Sequence, residues 1–234
     1  MYKQGDTLTY FGKGIYTLPT AAKILKINPQ KMRRWVNGYT FYKNKVSQPG
    51  KPLINIEFGR DSSDTVISFL DLAELLFISK FIHYGISVQK IRKAANTASK
   101  ILKTDHPFAL QKMYTDGRSI FAELAQKEND TSFLDLLDSQ YELREIIDST
   151  LLGCIDFNEY NHAKRWWPLG KEGSIVLDPE RNMGQPILNK YNVRTELLYG
   201  LFRTNHSISE ICDWYELDEN EVIVAIEYEK GLVA

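Results

Sequence analysis

Apolar residues recur at helical spacing along much of this chain, and the alternating stretches between them are short. The run PTAAKILKINPQKMRRWVNGYTF, Pro19 to Phe41, predicts two short helices joined by a tight turn. Asn28 is placed to cap the second helix, Pro29 suits its first turn, and Gly38 is a C-terminal stop. Met32 and Val36 share one face at i and i+4, whereas Gln30, Lys31, Arg33, Arg34 and Asn37 occupy the others. Further on, FLDLAELLFISKFIHYG predicts a strongly apolar helix ended by Gly85. Ser87 then caps a helix from Val88 to about Leu102, with Lys90, Arg92, Lys93 and Lys100 on its polar face.

The β-prone pieces are placed between these helices. Tyr39 to Pro52 reads as a loop. Leu53 to Phe58 alternates, with Ile54, Ile56 and Phe58 on one side. Paired with Thr65 to Phe69 across the polar GRDSSD, it predicts a β-hairpin, the wing of a winged helix-turn-helix. A second hairpin is expected around the Asp116-Gly117 turn, between Lys112–Tyr114 and Ser119–Phe121, and a helix over Gln140 to Leu152. Short strands are expected near Cys154 to Phe157, Ala163 to Trp167 and Ser174 to Leu177. Three helices close the chain: Thr195 to Arg203, Ile208 to Tyr215 capped by Ser207, and Glu219 to about Lys230 capped by Asp218. The fold class is mainly α with small hairpins, α+β. It divides into a winged helix-turn-helix domain with its following helices over 1–110, a connector over 111–165 and a helical domain over 166–234.

The net charge of −1 hides a strong segregation. From Tyr10 to Arg60 there are ten lysines and arginines against one acid, Glu57; from Lys80 to Lys112 there are seven against Asp105. Thr115 to Tyr160 carries eleven acids against three bases, and Thr195 to Ala234 nine against two. A polyanion is therefore met by the N-terminal half. A basic helix of this kind is what a helix-turn-helix protein lays in the major groove. Gln30, Lys31 and Arg34 are the candidates for base edges or the groove floor. Arg33, Asn37, Tyr39, Tyr42, Lys43 and Lys45 are the candidates for phosphates. The last helix is acidic, with Glu219, Glu221, Glu227 and Glu229, and an acidic helix repels phosphate. Those four glutamates are therefore candidates for binding a protein partner.

Two stretches carry a family resemblance. GIYTLPTAAKILKINPQKMRRWVNG resembles the start of a MerR-like winged helix-turn-helix domain. SFLDLAELLFISKFIHYGISVQKIRKA, followed by DHPFALQKMYTDGRSIF, resembles VapB-like antitoxins carrying such a domain. The tail, with RWWPLG, VLDPERNMGQPIL and RTELLYGLFRTNHSISEICDWYELDENEVIVAI, resembles the small C-terminal domain of that family. The resemblance implies a DNA-binding antitoxin of a type II toxin–antitoxin pair, a PIN-type ribonuclease toxin as partner, and repression of its own operon. One departure stands out: related tails often have a glycine near the turn where this chain has RTNHSISE, so His206 is expected to close it another way.

Signatures of catalysis are missing from the sequence. His83, His106, His162 and His206 are far apart and form no metal-ligand spacing, and there is no P-loop, dinucleotide fingerprint or nucleophile elbow. The acidic run reads as a solvated face rather than a carboxylate metal site. Trp166 and Trp167 read as packing rather than base stacking. Cys154 and Cys212 are too few for a disulfide framework, and no signal peptide or membrane-length apolar run is present. The expectation is a cytoplasmic, non-enzymatic protein without cofactors that binds operator DNA as a homodimer, the apolar helices Phe69 to His83 and Val88 to Leu102 supplying part of the dimer contact. The alternative is a MerR-like regulator without a toxin partner. A protein-binding adaptor whose basic face is incidental is the third reading.

Overall fold

The computed structural model describes residues 10–43, 46–60, 65–83, 85–115 and 152–233. It is α+β and mainly helical. Strand β1 (Tyr16–Thr17) leads into α1 (Leu18–Ile24) and α2 (Pro29–Asn37). An antiparallel hairpin follows, β2 (Tyr39–Lys43) and β3 (Val46–Gly50), and then β4 (Val66–Ile67), which pairs with β1. Helices α3 (Phe69–His83), α4 (Val88–Leu102) and α5 (Gln111–Thr115) come next. Beyond the undescribed stretch, β5 (Ile155–Phe157) pairs with β6 (Ala163–Trp166). A three-stranded sheet of β7 (Ile175–Val176), β8 (Ile187–Leu188) and β9 (Val193–Arg194) leads to α6 (Thr195–Arg203), α7 (Ile208–Tyr215) and α8 (Glu219–Val233).

The wing comes from a different segment than the alternation predicted. The stretch read as a loop, Tyr39 to Pro52, forms the hairpin, with Tyr39 opposite Gly50 and Lys43 opposite Val46. Its first strand, YTFYK, is rich in aromatic and β-branched residues, and Pro49 is tolerated because it lies on an edge strand. Leu53 to Phe58 is not a strand. Leu53 and Ile54 are neighbours and both buried, which a strand with one solvent face does not allow, and the Leu53 N–H donates to the Trp35 carbonyl (2.7 Å). The hairpin expected around Asp116-Gly117 is also corrected in part: Lys112 to Tyr114 lie within α5, and the rest of it is outside the described residues, as is the helix expected from Gln140.

Helix α3 is buried nearly all round, with Leu72, Leu75, Phe77 and Ile78 at the centre of one core. A helix apolar on every side belongs in an interior. It therefore does not supply the dimer contact expected of it. That core gathers Tyr16, Met32, Trp35, Val36 and Ile67, and reaches across the chain to Ile155, Ala163 and Leu177. A second core lies among α6, α7 and α8, built on Leu198, Ile211, Val222 and Ile226. Helix α8 is the middle of this group and also packs on α1.

The segment Gly184-Gln185-Pro186 fixes one core against the other. Tyr16 Oη donates to the Gly184 carbonyl (2.6 Å), and a Cβ on Gly184 would stand 2.3 Å from that hydroxyl, so only glycine fits. Gln185 Nε2 donates to the Ile15 carbonyl (2.9 Å), and the Pro186 carbonyl accepts from the N–H of Thr195 at the start of α6. Trp167 is buried, with its indole N–H donating to Asp156 Oδ2 (2.9 Å), which accounts for part of RWWPLG as packing.

Candidate nucleic-acid interface

Two capped helices build the N-terminal site. The Thr17 hydroxyl accepts the Thr20 N–H at the start of α1, and α1 ends where Lys26 turns left-handed (φ 53°). Asn28 Oδ1 then accepts from the N–H groups of Gln30 (2.9 Å) and Lys31 (3.2 Å), satisfying two orphan donors of α2. Met32, Trp35 and Val36 are buried in the core, which fixes the rotation of α2 about its axis. Gln30, Lys31, Arg33, Arg34 and Asn37 are consequently all exposed. Gly38 closes the helix at φ 79°, its N–H on the Arg34 carbonyl. A Cβ there would meet the Gly50 carbonyl at 2.4 Å, so this glycine lets the β2–β3 hairpin begin directly against α2.

The sequence-assigned residues do not all have equal freedom. Arg33 and Arg34 point to solvent from the middle of α2. Lys31 Nζ lies 5.1 Å from the Trp35 ring centroid, a cation–π contact that holds its charge near the helix start. Asn37 Oδ1 accepts from the Thr65 hydroxyl (3.2 Å), so its side chain ties the end of α2 to the chain entering β4 as well as facing out. Tyr39 is exposed, with its ring against Gly50 across the hairpin. Tyr42 and Lys43 lie on strand β2 towards the hairpin tip, and Lys45 is outside the described residues. Two other bases in the same stretch turn away from this face: Lys13 pairs with Glu57 (3.2 Å) and Lys23 with Glu229 (2.7 Å).

Glu229 accordingly leaves the set of partner-facing acids. It is 1 % exposed, and besides Lys23 it accepts the Thr195 hydroxyl (2.6 Å), joining α8 to α1 and α6. Burial is tolerable because both carboxylate oxygens are occupied. Glu221 is half-buried. Glu219 and Glu227 are exposed, Glu227 pairing with Lys230 (2.7 Å), and Ile223 is exposed on the same helix. Ser207 caps α7 with Glu210 in a reciprocal capping box. Asp218 does not cap α8 with its side chain. That carboxylate accepts from the Tyr191 hydroxyl and from Lys190 Nζ, while its backbone carbonyl receives the first helical N–H groups. In RTNHSISE, Asn205 adopts the left-handed conformation (φ 69°) that a glycine would give, and the His206 ring packs edge-on against Trp214 (4.8 Å).

One buried polar cluster has no sequence signal beyond its residue types. Asp71 and Glu74, one turn apart on α3, are both buried, and His106 Nδ1 lies 3.4 Å from a carboxylate oxygen of each. Asp71 also accepts from the Ser68 and Glu57 N–H groups, and Glu74 from that of Phe108. Burial raises the pKa of both carboxyls. Burial alone would lower that of His106, but the neighbouring Glu74 and Asp71 carboxylates outweigh it, and the net shift is upward. Among the described residues no group of three His, Cys, Asp or Glu side chains is arranged to hold a metal ion. Cys154 and Cys212 are free thiols, and no described helix is long and apolar enough to cross a membrane.

Two stretches of the chain match known families. Residues 14–95 match the family model of a putative DNA-binding HTH domain, and residues 175–228 match that of a protein of unknown function, DUF433. A protein of Mycobacterium tuberculosis named putative antitoxin VapB45 is 26% identical over 227 residues, covering 93% of this chain and 94% of its own length. The crystal structure of Rv2018 from the same species superposes with a TM-score of 0.70 at 23% identity, over 93% of this chain and 99% of that one. The chain is thus similar to a putative DNA-binding HTH domain over residues 14–95 and to DUF433 over residues 175–228, and along nearly its whole length to the protein named putative antitoxin VapB45.

Proposed function

We propose that this protein is a DNA-binding antitoxin of a type II toxin–antitoxin pair. In this reading it binds operator DNA through α2 and the β2–β3 wing, and represses its own operon. The observation that carries the DNA half is the exposure of Gln30, Lys31, Arg33 and Arg34 on a helix whose opposite side is locked into the core. Gln30, Lys31 and Arg34 read the groove, while Arg33, Asn37, Tyr39, Tyr42, Lys43 and Lys45 meet phosphates, which set register without selecting sequence. One such domain covers little DNA, so a two-fold homodimer on a palindrome is the expected assembly. The likeness to the protein named putative antitoxin VapB45 supports the antitoxin half.

The C-terminal module then carries the toxin contact. Glu219 and Glu227, with Ile223 between them on the outer face of α8, offer acids around an apolar centre. That chemistry suits the basic rim with which a PIN-type ribonuclease holds RNA. The test has two arms. Upstream duplex DNA is titrated with the protein and with its Arg33→Ala/Arg34→Ala variant. The protein is also co-expressed with the product of the neighbouring gene. Relief of toxicity together with copurification supports the antitoxin reading; DNA binding without either leaves a regulator with no toxin partner.

A further inference from the structure

Two arginines that the charge pattern places among the DNA-facing bases are turned onto backbone carbonyls instead. Arg60 Nε donates to the Val36 carbonyl (2.9 Å) and its Nη2 to the Ile54 carbonyl (2.6 Å). Arg92, on α4, donates from Nε to the Pro52 carbonyl (3.3 Å) and from Nη2 to the Lys51 carbonyl (3.0 Å). Val36 is in the last turn of α2, where carbonyls lack helical partners and the helix dipole is negative. Lys51 to Ile54 is the chain leaving the wing, and the Leu53 N–H also bonds the Trp35 carbonyl (2.7 Å).

We infer that Arg60 and Arg92 are positioning residues for DNA reading: they lock the end of the recognition helix to the exit of the wing and do not themselves contact DNA. The inference rests on the DNA-binding reading above. A guanidinium spans two carbonyls with fixed, divergent donors, whereas an ammonium is a single point on a flexible stem. Arg60 thereby joins α2 to the segment after the wing, and Arg92 joins that segment to α4. The spacing between helix and wing, which decides whether both meet one duplex at once, is set by these four hydrogen bonds together with the Gly38 approach to Gly50.

Salt dependence separates positioning from contact. Each phosphate contact contributes about 0.9 to the slope of log affinity against log salt on duplex DNA. The full-length protein is titrated against a fluorescent random-sequence 30-bp duplex at several KCl concentrations. Arg60→Gln and Arg92→Gln are expected to lower affinity several-fold with the slope unchanged. Arg60→Lys is expected to restore little, and Arg33→Ala to lower both affinity and slope. In the free protein, amide hydrogen exchange should quicken in Arg60→Gln over residues 35–54 and stay unchanged over α6 to α8. A slope reduced by about one in Arg60→Gln would mark a phosphate contact and overturn the inference. Full affinity in both glutamine variants would overturn it too. Wild-type protein that ignores DNA would sink the function, and the exchange measurement would then decide alone whether Arg60 holds the helix to the wing.

Discussion

Helices α2 and α8 hold the same place in two similar arrangements. Each follows a short capped helix and a tight turn, and each buries one side in its own core. Their outer faces are opposite in charge: Gln30, Lys31, Arg33 and Arg34 on the first, Glu219, Asn220, Ile223 and Glu227 on the second. The ends of the helices differ too. The C-terminal end of α2 meets the start of the wing at Gly38, whereas the last turns of α8 press on α1 through Glu229 and Lys23. A short helix and a tight turn therefore fix how the next helix is presented, while the charge on its outer side fixes what it can meet. Phosphates attract the first face and repel the second.

The largest expected effect breaks the first face. Arg33→Ala with Arg34→Ala should weaken duplex binding by at least tenfold at moderate salt. Lost arginine contacts are worth on the order of 1–3 kcal/mol each at base edges and less at phosphates. Unchanged binding, with the fold intact by circular dichroism, would dissolve the contrast between the two helices.

The next tests whether the modules are joined as the buried ion pair indicates. Glu229→Ala strands the Lys23 ammonium and the Thr195 hydroxyl, so thermal or denaturant unfolding should report a loss on the order of 2 kcal/mol. Lys23 is 34% exposed, and water relieves part of its loss, which keeps the figure below that of a fully enclosed pair. Glu227→Ala, by contrast, should cost little, because that residue is exposed. Equal effects from the two glutamates would contradict the distinction drawn between them.

Charge reversal sharpens the second face. Glu219→Lys with Glu227→Lys should lower retention of a copurifying partner by up to about tenfold and leave operator affinity of the N-terminal face intact. Exposed charge pairs are worth about 0.2–1 kcal/mol each, and reversal adds repulsion. Partner retention at the wild-type level would remove α8 from the contact.

The smallest effect concerns pH and belongs to the N-terminal core alone. Asp71, Glu74 and His106 all have folded-state pKa values above their unfolded ones, so the folded cluster holds more protons. Its contribution is complete below the unfolded carboxyl values and fades as pH rises through the raised folded ones, past about 6.5 for the histidine. Among the described residues, Glu57 and His162 are the other titratable groups that face it. The melting temperature should fall between pH 6 and 8.5, and His106→Gln should flatten that fall. A melting temperature that rises over the same range would reverse the assignment.

Helices were legible where local chemistry was enough. The bounds of Val88–Leu102 and Ile208–Tyr215 follow from caps and periodicity, those of Thr195–Arg203 from periodicity without a side-chain cap, and Asn28, Ser87 and Ser207 cap as their positions demand. The wing was not legible in its place. Leu53 and Ile54 are both drawn into the core, and the real strands are held by cross-strand partners that no local pattern names. The same limit applies to Asp218, whose side chain is claimed by Lys190 and Tyr191 from another element.

The sequence by itself determined the helices, the segregation of charge and the exposed basic side of α2, because these depend on residues within a few positions of each other. Only the tertiary structure decided which charges remain available. Lys23, Arg60, Arg92 and Glu229 carry the same formal charges as other residues of their segments, yet each is committed to a partner between 6 and 206 positions away. Formal charge is a property of one residue, and its availability to DNA or protein depends on which distant groups the fold brings within hydrogen-bonding reach.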